Sequence, residues 1–166
     1  MRTFAKLFGF IFLIIVTANQ AYPHCQIPCG IYGDFTRIDL LREHVATIEK
    51  SMKQIDELSK KSSENMNQLV RWINNKEHHA DEFTQIVTYY FLTQRVKIED
   101  PGNAEQFNIY QEKLTLLHNM MVFAMKCKQT TDVENTGRLI KLIDQFVDIY
   151  FSDEQKAHLK EHSKNH

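Results

Sequence analysis

From Thr36 to the final residue, His166, the chain carries one proline and two glycines. Breakers this sparse favour long helices. The apolar residues agree. Ile38, Leu41, Val45, Ile48, Met52 and Ile55 are spaced 3, 4, 3, 4, 3, which puts one apolar stripe on a helix over about residues 36–61. Thr36 stands at the N-cap position, with Asp39 three residues on as a capping-box acid. SSENMNQ (62–68) reads as a loop and a new start. A second helix follows over about residues 64–98, its stripe made of Met66, Leu69, Ile73, Ala80, Phe83, Val87 and Tyr90. Glu77 interrupts that stripe and marks a polar turn. EDPGN (99–103) is the strongest stop in the chain, because proline and glycine together end a helix.

The third helix carries Phe107, Tyr110, Leu114, Leu117, Met121 and Ala124, with Cys127 continuing the stripe as a buried small hydrophobe. QTTDVENTG (129–137) bridges to a fourth, whose Leu139, Leu142 or Ile143, Phe146 and Tyr150 face inward. Four helices of roughly 25–35 residues with short connections pack most simply as an up-down-up-down bundle. The expected fold is therefore all-α: a four-helix bundle over residues 36–166, preceded by an irregular N-terminal segment. A bundle by itself implies no function. The net charge is −1 with no basic block, which argues against a nucleic-acid partner.

Residues 1–23 read as a leader. Arg2 and Lys6 make a positive start, and Leu7 to Val16 form a ten-residue apolar core, short for a membrane span and right for a signal sequence. VTA ending at Ala18 and NQA ending at Ala21 are the small-residue cleavage options, and the polar TANQ argues against a retained anchor. Such a leader directs the chain to a secretory route, outside the cell or inside a membrane-bounded compartment. Its removal takes away two cations and leaves 18 basic against 21 acidic residues, a net charge of −3.

Residues 24–35 belong to neither part. They contain Cys25 and Cys29 in a C-x3-C spacing beside His24, with Pro28 and Gly30 imposing a bend. The two thiols suit a small disulfide in a secreted helical bundle without enzymatic activity. They are a poor zinc half-site, since no second thiol pair exists, and a poor redox pair, which takes C-x-x-C in a βαβ setting. A further reading starts from processing at Pro23, which would make His24 the first residue. Its free amine, the backbone amide of Cys25 and the thiolates of Cys25 and Cys29 would then form a planar N2S2 set, with the His24 imidazole in axial reach. Square-planar sites of this kind select nickel(II) or copper(II), in an enzyme or in a metal chaperone. Signal peptidase disfavours proline before the cut, so a trimming protease would have to expose His24.

HCQIPCGIY (24–32) resembles the nickel hook of nickel-containing superoxide dismutases, H-C-x-x-P-C-G-x-Y, at all six of its defined positions. RID at 37–39, the stretch from Arg71 to Glu77 and TTDVENTG (130–137) are similar to stretches of that family. The resemblance implies a four-helix bundle that assembles as a homohexamer and holds one nickel ion per chain. It implies dismutation of superoxide to oxygen and hydrogen peroxide by Ni(II)/Ni(III) cycling. His24, Cys25 and Cys29 would be the metal ligands, and Tyr32 would screen the open face of the metal. Asp39 stands where the family has a glutamate that orients the axial histidine; its carboxylate is one methylene shorter, and it also reads as a first-turn helix acid. Arg71 aligns with a family arginine and would draw in the anionic substrate, or it is a solvated helix cation. By the resemblance, His79 falls where many members carry an arginine that contacts the axial histidine of another chain; on its own it reads as an exposed helix histidine. His158, His162 and His166 read as a solvated helix end.

Overall fold

A computed structural model describes residue 30 and residues 32–156. The leader, His24, Cys25, Cys29 and the three C-terminal histidines lie outside the described residues. Four helices follow in order: α1 (Asp34–Ser59), α2 (Ser62–Gln85), α3 (Ala104–Gln129) and α4 (Glu134–Tyr150). Between α2 and α3 the helix runs on as a π-helical segment, Ile86–Arg95. Among the described residues there is no strand, and no helix is long and apolar enough to cross a membrane.

Each helix runs antiparallel to its neighbours. His44 meets His79, and Ser51 meets Asn75 along α1 and α2. Asp34 meets Tyr150, Arg42 meets Asp144, and Glu49 meets Thr136 along α1 and α4. Lys76 and Asp81 meet the end of α3. This is the expected up-down-up-down bundle.

The core follows the stripes. Ile38, Leu41, Val45, Ile48 and Met52 are buried on α1; Leu117, Ala124 and Cys127 on α3, with Met120 buried there in place of the expected Met121, which is only partly buried; Leu139, Ile143 and Phe146 on α4. Full burial of one large apolar side chain contributes about 1.5–3 kcal/mol, so this shared interior holds the four helices together. Ile143, not Leu142, is the buried member of α4.

The boundaries differ from the pattern in instructive ways. α1 starts two residues early, and Gly33 occupies the cap position: the Arg37 amide donates to its carbonyl at 3.0 Å. Thr36 lies in the first turn and caps nothing. SSENMNQ is helical from Ser62, because Lys60 and Lys61 alone make the turn. EDPGN does close a turn: the Gly102 amide donates to the Asp100 carboxylate, and Asn103 caps α3 by accepting from the Gln106 amide. α4, with 17 residues, is shorter than expected.

That shortness explains the largest departure. Met66 and Ile73 are 58% and 42% exposed, although both sit on the α2 stripe. α3 ends beside Lys76 and α4 begins beside Glu49. Among the described residues only α1 and α2 continue beyond that level, as a projecting two-helix hairpin whose far face no described residue covers. The stripe on the bundled part of α2 is Lys76, Ala80 and Phe83, continued by Val87 and Tyr90. Lys76 is buried because its ammonium caps α3, donating to the carbonyls of Lys128 (2.5 Å) and Thr130 (3.2 Å).

Candidate metal centre

The irregular segment meets the bundle where α1 begins, the π-helical segment ends and α4 ends. Gly30 has φ +70°, the left-handed region that glycine alone enters freely, so the chain turns sharply here on its way to Tyr32. Tyr32 is half-exposed at the rim. The Arg95 guanidinium lies over its ring, 4.3 Å from the centroid, and the Tyr90 ring meets it edge-on at 6.3 Å.

Beneath Tyr32, one carboxylate gathers four donors. Arg95 donates to Asp34 through Nε (2.9 Å) and Nη2 (2.6 Å), the Tyr90 hydroxyl donates at 2.5 Å and the Tyr150 hydroxyl at 2.9 Å. The side chains of Arg95 and Asp34 are 26% and 16% exposed, so water competes only weakly. Burial by itself would raise the Asp34 pKa, but the donors from Arg95, Tyr90 and Tyr150 outweigh it and hold the carboxyl below its usual value. Burial and the carboxylate together push the Tyr90 phenol up to about 12 and raise that of Tyr150. The cluster is therefore charged at Asp34 and Arg95 and neutral at both tyrosines across the physiological range. It pins the first turn of α1 to two other elements. Arg37 adds its guanidinium over the Tyr90 ring at 5.2 Å.

The π-helical segment makes this cluster possible. Tyr90 and Arg95 are five residues apart. On an α-helix, at 100° per residue, they would point about 140° away from each other. In a π-helix, i to i+5 hydrogen bonds bring them to the same side. The Val96 backbone amide donates to the Phe91 carbonyl, and two side chains, the Thr93 hydroxyl and the Gln94 carboxamide Nε2, donate to the carbonyls five residues back.

The other site residues read from the sequence fall elsewhere. Asp39 is exposed one turn further along α1, and its carboxylate makes no hydrogen bond or ion pair with a described residue. Arg71 is exposed on the projecting hairpin. It stands roughly 30 Å from Tyr32 along the bundle, at 1.5 Å per helical residue. Within one chain these residues are not brought together. His79 is not solitary: its Nδ1 lies 2.9 Å from Nδ1 of His44 on α1. Burial and the neighbouring imidazoles lower the pKa of both.

Sequence reading missed Asp34, Arg95, Tyr90 and Tyr150 as a cluster. The two tyrosines were placed on apolar stripes, where only their hydroxyls, which need partners when buried, signal anything more. Among the described residues no three metal-ligating groups converge. The comparisons bear on the whole chain. No curated protein and no solved structure matches it significantly. A family model described as nickel-containing superoxide dismutase matches residues 18–154.

Proposed function

The chain belongs to the nickel-containing superoxide dismutase family, an oxidoreductase family acting on superoxide with a nickel cofactor, and on that premise we propose that its metal is held by the first residues exposed after leader removal. The observation that carries this reading is HCQIPCGIY itself, six matching positions in nine consecutive residues that end at the clasped Tyr32. The donor set fits nickel. The His24 amine and the Cys25 amide are nitrogen donors, and the Cys25 and Cys29 thiolates complete the planar N2S2 arrangement that nickel(II) prefers. Bound nickel, cycling between the II and III states, supplies the one-electron oxidation and reduction of superoxide.

The protein's own groups have separate tasks. The two thiolates and the deprotonated amide donate charge and stabilise the higher oxidation state. The His24 imidazole would be a further ligand to the metal, oriented by Asp39. Tyr32, held by Arg95 and Tyr90, keeps bulky ligands off the open face. Thiolates beside a peroxide product are prone to oxidation, and such screening protects them. Arg71 draws superoxide to a hook. Because Arg71 is far from Tyr32 in its own chain, the proposal gives it that role at a neighbouring chain's hook, in a homohexamer that would also cover Met66, Val70 and Ile73 on the hairpin. The leader takes the chain into a secretory route, and a protease that cuts between Pro23 and His24 frees the amine.

The test is to purify the mature protein. Intact mass and N-terminal sequencing should place its start at His24, metal analysis should give about one nickel per chain, and Cys25→Ser should abolish both nickel and dismutation while leaving the helical spectrum unchanged. A mature chain that starts at Asn19 or Tyr22 and holds no nickel refutes the assignment, and a 25–29 disulfide in that chain supports the secreted-bundle alternative.

A further inference from the structure

About 15 Å along α1 from Asp34, at 1.5 Å per residue, a second group of ligating side chains faces outward between α1 and α2. His44 and His79, both half-buried, direct their Nδ1 atoms at each other across 2.9 Å. His78 stands next to the pair, its ring 5.4 Å from that of His79. Glu43 on α1 and Glu82 on α2 are the carboxylates within electrostatic reach of both imidazoles. The elements that carry the pair are the two longest-paired helices of the molecule, so the two rings are presented by fixed backbones.

We propose that His44 and His79 form a second metal site, a two-imidazole clamp across α1 and α2 for a borderline divalent cation such as zinc(II). The spacing is the argument. Imidazole nitrogens bind zinc at about 2.0–2.1 Å, so two of them in one shell lie about 2.9 Å apart at a right angle and about 3.4 Å apart in a tetrahedron. The observed separation is at the lower bound, and a small rotation of either ring opens it to the upper one. The present contact is a hydrogen bond in which one ring donates and the other accepts. Metal binding takes the Nδ1 proton of the donating ring and requires that ring to be reprotonated at Nε2, a tautomer change through solvent with no net proton release, so that both neutral rings turn an Nδ1 lone pair to the cation. Imidazole suits zinc, copper and nickel, whereas the oxygen-preferring calcium and magnesium find only two nitrogens here. Among the described residues no third ligand converges on the pair, so water, or Glu43 or Glu82 after a rotamer change, completes the shell. The site is separate from residues 24–29 and does not depend on their assignment. Its consequence is mechanical: a cation bound to both helices resists their separation.

Zinc(II) alone is the probe, added to the full chain as purified, with the nickel content measured in the same samples so that the two assignments can fail independently. Equilibrium dialysis is expected to show about one zinc per chain beyond any nickel, and zinc is expected to raise Tm by several degrees through preferential binding to the folded state. His44→Gln and His79→Gln should each weaken zinc binding about tenfold or more. Circular dichroism without zinc establishes that both variants fold. X-ray absorption of the zinc-loaded unmodified protein supplies a measurement that needs no variant, and a nitrogen and oxygen shell with two imidazoles and no sulfur is expected. Sulfur in the shell puts the zinc on the hook thiolates and overturns the proposal. Zinc binding that survives both substitutions points to His158, His162 and His166 and also overturns it, as does the absence of retained zinc.

Discussion

Replacing Asp34 by asparagine tests the cluster at the mouth of the bundle. The carboxylate accepts four hydrogen bonds, two of them from a guanidinium. An amide of the same shape offers one acceptor oxygen and turns an NH2 group toward the remaining donors, so at least two of the four bonds are lost. Hydrogen bonds to charged groups contribute about 1.5–3 kcal/mol each, and the exposure of the Arg95 and Asp34 side chains, 26% and 16%, returns part of that to water. The net loss is about 2–4 kcal/mol. For a chain of this size that lowers Tm by roughly 6–16 °C at pH 7, read by circular dichroism. The pH dependence carries the sign. The folded-state pKa of Asp34 lies below its ordinary 3.8, so its contribution is complete well above 3.8 and is lost as pH falls through the folded-state value. The asparagine variant has no such titration. The Tm difference between the two proteins should therefore shrink as pH is lowered from about 5 towards 2. A double-mutant cycle with Arg95→Met should return a coupling of about 1–3 kcal/mol. A Tm loss under about 3 °C, or a difference that does not shrink in acid, refutes the account of Asp34 as a paired charge.

Two further outcomes follow from the interior. Lys76→Met removes the ammonium that caps the last carbonyls of α3, and denaturant titration should show a loss of about 1–3 kcal/mol, although methionine fills the same apolar space. Cys127 is fully buried and its thiol is pushed up to about 11, first of all by burial. In the folded, reduced protein at pH 8, iodoacetamide should therefore leave Cys127 unmodified, with alkylation appearing only on unfolding; peptide mapping after brief exposure checks this, and rapid native labelling would contradict the packing described here.

The fold and the chemistry were legible in the sequence for the same reason: both are local in it. Sparse breakers and a 3, 4, 3, 4, 3 stripe specify a helix from consecutive residues, and four such stripes with short links specify a bundle. The HCQIPCGIY pattern is local too, since its six defined residues fall within nine consecutive positions. Three features were decided by tertiary structure. The exposure of Met66 and Ile73 depends on where α3 and α4 stop, and no periodicity within α2 contains that information. The His44–His79 pair depends on the register of α1 against α2, so two ordinary helix histidines become neighbours only when the hairpin closes. The Asp34 cluster draws on residues 34, 90, 95 and 150, and it requires the helix to widen from α to π before Arg95. That widening costs backbone geometry, and the reward lies in a carboxylate 61 residues away in the chain, a long-range pairing that a reading of local propensity has no means to include.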